Sequence, residues 1–268
     1  MRTGFDGTPE HTRGGAVIDK TTPDAAAAVA DIPDGATVMI GGFGRAGQPV
    51  ELIDALIAHG AADLTIVNNN AGNGDTGLAA LLAAGRVRKI VCSFPRQSDS
   101  WVFDGLYRDG RIELELVPQG NLAERIRAAG AGIGAFFSPT GVGTELAEGK
   151  EARTIEGRDY VLEYPIRADF ALIAARAADR WGNLVYRETA RNFGPIMASA
   201  ATTTIVQVDE LVPLGSLDPE TVVTPGIFVD RVVPVGIRSW LDADGAFVGG
   251  VDLEGRPLAA ATAEEAAA

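Results

Sequence analysis

Short apolar segments alternate with helical segments through the first half of the chain, and this alternation limits the possible folds more than any other feature of the sequence. Residues 37–40 are apolar and are followed by a glycine, as expected for a buried strand. Residues 49–59 then carry apolar side chains at helical spacing, with a proline at the start and a glycine just past the end. Parallel strands need a crossover connection, which is usually a helix, so strands that alternate with helices are expected to run parallel. The sequence therefore predicts an α/β fold with an open, largely parallel sheet, crossover helices and a single domain.

The same order of elements continues along the chain. Further helices are predicted at 78–84, 100–107 and 122–129, and Asn121 is expected to cap the last of them. Strands are predicted at 64–67, 87–93, 112–117, 160–164, 170–174, 184–186, 204–208 and 227–235. The second half of the chain is thus richer in strand than the first.

Composition divides the chain into three zones. Residues 1–22 are polar and rich in glycine, which predicts a loose N-terminal extension. Residues 23–236 form the predicted folded domain. From residue 237 to 268 the chain is a mixture of aspartate, glycine and alanine with little to bury, so a mobile tail is predicted there.

Charge and residue usage exclude several classes of function. The net charge of −13 argues against binding of nucleic acid and of anionic membrane surfaces, whose phosphates would be repelled. With one cysteine, Cys92, and two histidines, neither an intrachain disulfide nor a zinc site is expected, and no metal is predicted. No apolar run reaches the ~20 residues of a membrane span, and no signal peptide is recognisable. These features predict a cytoplasmic protein. Cys92 lies in an apolar predicted strand, so it is predicted to be an inert core residue.

A glycine-rich loop follows the first predicted strand. Residues 42–47 satisfy the pattern G-x-G-x-x-G of dinucleotide-binding proteins. In that motif the helix begins among the glycines, whereas Pro49 places the helix start after the last glycine here. Asparagines, and not a ribose-binding carboxylate, follow the second strand. A plain turn stays possible, but the position at a strand's carboxyl end favours a ligand-binding loop over NAD binding.

Several stretches together resemble a known family. Residues 34–49 read DGATVMIGGFGRAGQP, with Gly-Gly-Phe after three apolar residues and then Gly-x-Pro. The stretch is similar to the signature of the A-type subunits of family I coenzyme A transferases. The resemblance covers about residues 25–235 and includes NNAG at 69–72, PQGNLAERIR at 118–127, FSPTGVGT at 137–144 and ARNF at 190–193. One departure is Val142, where tyrosine is common.

Within that family, residues 92–100 (CSFPRQSDS) resemble the 3-oxoadipate branch. The acetoacetate branch usually carries a Ser-Tyr-x-Gly-Glu-Asn-like stretch there. The resemblance thus implies transfer of CoA from succinyl-CoA to 3-oxoadipate, a step in the catabolism of aromatic compounds by the β-ketoadipate pathway. Two alternatives stay open: transfer to acetoacetate or another 3-oxo acid, and a non-catalytic acyl-CoA-binding protein.

The resemblance also implies a partner. The family places its nucleophilic glutamate in a Ser-Glu-Asn-Gly motif on a second, B-type subunit, where it forms an acyl-glutamyl anhydride and then an enzyme–CoA thioester. No glutamate of this chain is followed by Asn-Gly. The chain is therefore expected to be active only with the B-type subunit, in a heterodimer or heterotetramer. A CoA thioester and a 3-oxo acid would be the substrates, and no permanently bound cofactor is expected.

Gln119 is assigned through the same resemblance, whereas Asn69, Asn70 and Arg96 are assigned from their place in the chain and their chemistry. Gln119 is expected to contact the reacting oxygen, with helix capping as the alternative. Asn69 and Asn70 are expected to donate amides to the same pocket, with Asx turns as the alternative. Arg96 is expected to hold the distal carboxylate of a dicarboxylic substrate, with a solvated surface arginine as the alternative. The predicted CoA-binding loop consists of Gly41, Gly42, Phe43, Gly44, Arg45, Ala46 and Gly47.

Overall fold

The structure, a computed structural model, describes residues 17–97 and 99–236. Its helices are α1 Ala25–Val29, α2 Val50–His59, α3 Leu78–Ala83, α4 Trp101–Arg108, α5 Gln119–Gly130 and α6 Gly194–Ala200. Its strands are β1 Thr37–Ile40, β2 Leu64–Val67, β3 Val87–Cys92, β4 Glu113–Leu116, β5 Phe136–Ser138, β6 Ala152–Ile155, β7 Arg158–Glu163, β8 Ala168–Asp179, β9 Leu184–Val185, β10 Ala201–Val212 and β11 Arg231–Pro234.

The main sheet has the strand order β11-β10-β8-β1-β2-β3-β4, and every neighbouring pair along this path is parallel. The short strand β9 pairs antiparallel with β8. The predicted α/β fold with a largely parallel sheet and crossover helices is therefore confirmed.

Helices cover both faces of the sheet, and the alternation of side chains along the strands explains why. Val38 and Ile40 of β1 belong to the same apolar cluster as Leu52 of α2. Met39, which lies between them and points to the other face, belongs to a second cluster with Leu122 of α5. Two buried faces favour strands with nearly continuous apolar residues, and β1 has three in succession, Val38, Met39 and Ile40.

Cys92, at the end of β3, is fully buried. Burial raises the pKa of the Cys92 thiol to about 12, so the thiol stays protonated at neutral pH. A protonated, inaccessible thiol neither attacks an acyl group nor binds a metal. The prediction that Cys92 is an inert core residue is confirmed.

A second, three-stranded antiparallel sheet has the order β5-β7-β6. The sequence predicted only β7. All four residues of β6 are exposed, so β6 carries no alternation of apolar and polar residues that would mark a strand.

The start of α5 differs from the prediction. The helix begins at Gln119, after Pro118 at the N-cap, and not after Asn121. Asn121 is buried within the first turn, where its Nδ2 donates to Glu163 Oε1 at 3.0 Å and its Oδ1 accepts from Ser138 Oγ at 2.7 Å. Asn121 therefore connects the helix to the small sheet and does not cap the helix.

The end of the domain also differs in detail. The strand predicted at 227–235 is shorter, because Gly226–Phe228 is a turn of 3-10 helix and β11 begins at Arg231. Lys20 and Thr22 exchange backbone hydrogen bonds with Val232 of β11, both at 2.8 Å. The division at residue 22 stays a prediction, and the predicted tail at 237–268 lies outside the described residues.

No helix within the described part of the chain is long and apolar enough to cross a bilayer. The predicted location in the cytoplasm is not tested by this finding and stays a prediction.

Candidate active site

The loops that follow β1, β2, β3 and β4 lie next to one another at the carboxyl edge of the sheet. These strands are adjacent and parallel, so their carboxyl ends point the same way. The glycine loop follows β1, the three asparagines 68–70 follow β2, and Ser93 follows β3. Gln119 begins α5 shortly after β4. Open parallel sheets bind their ligands at this edge.

Asn69 and Gln119 are in direct contact there. Gln119 Nε2 donates to Asn69 Oδ1 at 2.8 Å, and Ser93 Oγ donates to the same oxygen at 2.8 Å. The backbone oxygen of Asn69 accepts from the amides of Ser93 at 3.2 Å and Phe94 at 3.0 Å. Asn69 is buried while Gln119, the first residue of α5, is exposed. The side chain of Gln119 thus binds Asn69 and does not cap its helix.

The neighbouring asparagines shape the loop after β2. Asn68 Nδ2 donates to the backbone oxygen of Ile40 at 2.6 Å, and Asn68 Oδ1 accepts from the amide of Asn70 at 2.8 Å. Asn70 Oδ1 accepts from the amide of Gly72 at 2.8 Å. This bond forms an Asx turn, the alternative role that the sequence predicts for Asn70. Asn68 was not predicted as a site residue, because its signal in the sequence is its place in a run of three asparagines.

The nitrogen of the Asn70 side chain has an unusual environment. Asn70 Nδ2 is buried and has no hydrogen-bond partner among the described residues. An unpaired buried donor costs about 1–3 kcal/mol. A polar acceptor brought to this loop by another molecule would remove that cost, so the donation expected from Asn70 stays a prediction.

The glycine loop has a buried base and an exposed tip. Gly41, Gly42 and Gly47 are buried, whereas Phe43 and Arg45 are exposed. The amide of Phe43 donates to the backbone oxygen of Ala46 at 3.0 Å, which closes the tip into a tight turn. The tip therefore presents an aromatic ring and a cation to solvent, and its predicted contact with CoA stays a prediction.

Asn192 holds this loop from the other side. Its Oδ1 accepts from the amide of Gly42 at 3.2 Å, and its Nδ2 donates to the backbone oxygen of Ala46 at 2.9 Å. The sequence analysis gave Asn192 no role, although it lies within the matched stretch 190–193. A contact between residues 150 positions apart requires knowledge of the fold.

The close approach of the two segments predicts a large difference between two glycine variants. A Cβ at Gly47 would lie 2.3 Å from the backbone oxygen of Ala190, whereas a Cβ at Gly44 would have no atom within 4 Å. Both glycines have positive φ, +72° and +60°. Gly44→Ala should therefore lower stability only by the backbone strain of about 1–2 kcal/mol. Gly47→Ala should lose roughly 1–3 kcal/mol more through overpacking.

Thermal unfolding of the two purified variants checks this expectation, since Gly44→Ala is the matched control for the strain. A Gly47→Ala protein that melts with Gly44→Ala would show that the contact with residue 190 is easily relieved.

Arg96 lies outside the amide cluster, which consists of Asn69, Ser93 and Gln119. Its Nε donates to Asp104 Oδ1 of α4 at 2.8 Å, and 65% of its side chain is exposed. An ion pair with this exposure contributes at most about 1 kcal/mol. The guanidinium is therefore held only weakly, and its predicted contact with a substrate carboxylate stays a prediction.

Two carboxylates, Glu51 and Asp54, lie in the first turns of α2, the helix that follows the glycine loop. Burial raises the pKa of Glu51, and repulsion from Asp54 and Asp209 raises it further. Glu51 Oε2 accepts from Nε2 of the buried Gln207 of β10, which opposes the rise. Burial also raises the pKa of Asp54. The ionised form of Glu51 is thus less favourable in the fold than in the unfolded chain.

A neutral replacement of Glu51 should therefore stabilise the protein. A carboxyl whose folded pKa is raised opposes folding above that pKa and ceases to do so as the pH falls through it. Glu51→Gln, which keeps an oxygen for Gln207, should show a small rise in melting temperature at pH 7–8, and the difference should vanish toward pH 4.

Glu148→Gln is the control, because it removes the same charge at an exposed position. A Glu51→Gln protein less stable than wild type at pH 7–8 would show that the Glu51 carboxylate contributes to folding.

The chemistry that this arrangement can perform follows from its groups. The cluster of Asn69, Gln119 and Ser93 consists of neutral amides and a hydroxyl, which can stabilise negative charge on an oxygen without binding a carboxylate tightly. No carboxylate nucleophile takes part in it. Within the described residues, no group of histidine, cysteine, aspartate or glutamate side chains could hold a metal ion.

Known proteins share both the sequence and the fold that build this site. A family model described as Coenzyme A transferase matches residues 22–234. The chain is 72% identical to the A-type subunit of 3-oxoadipate CoA-transferase from Pseudomonas putida, over 82% of this chain and 95% of that protein. It is 67% identical to the corresponding 3-oxoadipate CoA-transferase subunit of Acinetobacter baylyi, over 82% and 96%.

A solved structure shares the fold. The apoenzyme of an acyl-CoA transferase from Escherichia coli O157:H7 superposes with a TM-score of 0.73 at 24% identity. The match covers 87% of this chain but 49% of that chain. The E. coli chain therefore contains a second part of similar length beside the part that this fold matches.

Proposed function

Because the chain belongs to the coenzyme A transferase family, we propose that it is the A-type subunit of an enzyme that moves CoA from succinyl-CoA to 3-oxoadipate. The products are succinate and 3-oxoadipyl-CoA. The observation that carries the choice of substrate is the 72% identity to a relative named for 3-oxoadipate. At the reaction centre, the proposal is supported by the contact between Asn69 and Gln119.

The nucleophile comes from the B-type subunit in this proposal. A glutamate carboxylate of the partner adds to the thioester carbonyl, the C–S bond of the resulting tetrahedral adduct breaks, and CoA leaves as a thiolate, which produces the acyl-glutamyl anhydride. The thiolate then attacks the glutamyl carbonyl and releases the carboxylic acid as its anion. The reverse sequence loads CoA onto the acceptor.

This chain supplies the electrostatic part of the site. Negative charge develops on the carbonyl oxygen each time a nucleophile adds to it, and the amides of Gln119 and Asn69 lie where parallel strands end. Fixed neutral donors stabilise that charge without reorganising during the reaction. The exposure of Gln119 supports a site that is completed by another protein chain. Whether the complex is a heterodimer or a heterotetramer stays open.

Recognition of the acceptor is proposed for Arg96. 3-Oxoadipate differs from acetoacetate in a second carboxylate, and a protein with a net charge of −13 needs a local cation to hold a dianion. A charge-assisted hydrogen bond contributes about 1.5–3 kcal/mol. Arg96→Ala should therefore lower kcat/KM for 3-oxoadipate by roughly ten- to a hundredfold and leave acetoacetate almost unaffected.

The test is to assay the complex of both subunits with succinyl-CoA and each acceptor in turn. The wild-type complex should prefer 3-oxoadipate, and a complex that is faster on acetoacetate would overturn the substrate assignment. Asp104→Ala is the control for the variant, since it removes the partner of Arg96 but leaves the cation. Equal losses for both acceptors in Arg96→Ala would show that Arg96 does not read the distal carboxylate.

A further inference from the structure

We propose that Ser93 is a positioning residue for Asn69, and that its hydroxyl sets the direction in which the Asn69 amide donates. The proposal rests on the function proposed above. Ser93 follows β3 directly, and its Oγ lies 2.8 Å from Asn69 Oδ1 and 3.1 Å from the backbone oxygen of Asn69. Neither the family resemblance nor the composition assigns Ser93 a role.

A carboxamide needs such a partner because its two ends are nearly the same in shape. Rotation by 180° exchanges the oxygen of asparagine with its nitrogen, and the surrounding hydrogen bonds decide which end lies where. At Asn69 two donors, Ser93 Oγ and Gln119 Nε2, meet the oxygen at 2.8 Å each. The nitrogen of Asn69, with its two N–H groups, therefore points away from Ser93 and Gln119.

Ser93 is the donor that substrate chemistry leaves unchanged. Gln119 is exposed at the start of α5 and is proposed to contact the reacting oxygen. Ser93 is half-buried, and both its amide and its hydroxyl donate to Asn69 in the loop after β2. With one N–H of Gln119 Nε2 directed to a substrate oxygen, the bond from Ser93 continues to hold the oxygen of Asn69.

The hydroxyl can be removed without separating the two loops. The backbone amides of Ser93 and Phe94 still donate to the backbone oxygen of Asn69, at 3.2 and 3.0 Å. A parallel bridge joins Asn70 to Phe94 as well. Deletion of the hydroxyl should therefore change the orientation of one amide and leave the fold intact.

The experiment measures steady-state kinetics of the complex of both subunits with succinyl-CoA and 3-oxoadipate. Ser93→Ala should lower kcat by roughly tenfold, as expected for the loss of one hydrogen bond, with KM and the melting temperature unchanged. Ser93→Thr, which keeps a hydroxyl, should restore most of kcat. Ser199→Ala is the matched control, because it deletes a hydroxyl that donates to a backbone oxygen on α6.

A double-mutant cycle separates positioning from a general effect. In an Asn69→Ala background, Ser93→Ala should cause no further loss of kcat, since the amide it orients is gone. An unchanged kcat in Ser93→Ala alone, or an equal loss with and without Asn69, would overturn the proposal. The cycle decides even if Ser93→Thr does not fold. A wild-type complex with no transferase activity would instead overturn the proposed function on which this role rests.

Discussion

The isolated chain is expected to transfer no CoA from succinyl-CoA to 3-oxoadipate, and activity should appear when the B-type subunit is added. The amide cluster at the carboxyl edge of the sheet can stabilise an oxyanion, but it holds no carboxylate that could form an anhydride with an acyl group. No glutamate of the chain is followed by Asn-Gly, the context in which the nucleophile of the B-type subunit is proposed to lie.

The measurement is a titration. A fixed amount of the purified chain receives increasing amounts of the separately purified B-type subunit, and formation of 3-oxoadipyl-CoA is followed. The rate should rise from zero and saturate at a fixed ratio of the two proteins, which also gives the ratio of the subunits in the complex. Turnover by the chain alone would show that it contains its own nucleophile. Binding of succinyl-CoA with no activity at any ratio would favour the acyl-CoA-binding alternative.

Gln119→Ala should lower kcat of the complex by about a hundredfold. Removal of one preorganised donor to a developing oxyanion costs on the order of 3 kcal/mol in the transition state. Gln119 also donates to Asn69 Oδ1, so its loss weakens the hold on the second amide as well. Because Gln119 is exposed and does not cap α5, its removal should leave the melting temperature almost unchanged.

A conservative variant sharpens this test. Gln119→Glu keeps the size of the side chain but replaces the donor by a carboxylate, so it should be at least as slow as Gln119→Ala. Asn73→Ala, in the loop after β2 but bonded to Gln97, is the control for general damage to the loops. A Gln119→Ala complex with nearly normal kcat and a clearly lower melting temperature would give Gln119 a structural role only.

The parts of the fold that were predicted correctly are those with a strong local signal. In β1, α2 and β2 the apolar periodicity agrees with punctuation by Pro49 and Gly60, so local preference and tertiary structure favour the same elements. The start of α5 was misplaced because Asn121 has the chemistry of an N-cap, whereas its amide is used by Glu163 and Ser138. The exposed strand β6 gave no periodic signal at all.

The candidate site was predictable in its place but not in its contacts. A glycine loop and asparagines directly after predicted parallel strands indicate the carboxyl edge of the sheet. The pairing of Asn69 with Gln119 depends on β2 and β4 both flanking β3, and strand order is not a local property. The contacts of Ser93 and Asn192 could not be predicted either, because each of these residues bonds to a loop that is distant in the sequence.

The central claim is that this chain is the half of a CoA-transferase that stabilises charge and lacks the nucleophile. The most direct test is intact-protein mass spectrometry of the complex after brief incubation with succinyl-CoA alone. We expect a mass increase that corresponds to covalently attached CoA on the B-type subunit, with the mass of this chain unchanged. A CoA or succinyl adduct on this chain would show instead that this chain carries the nucleophile.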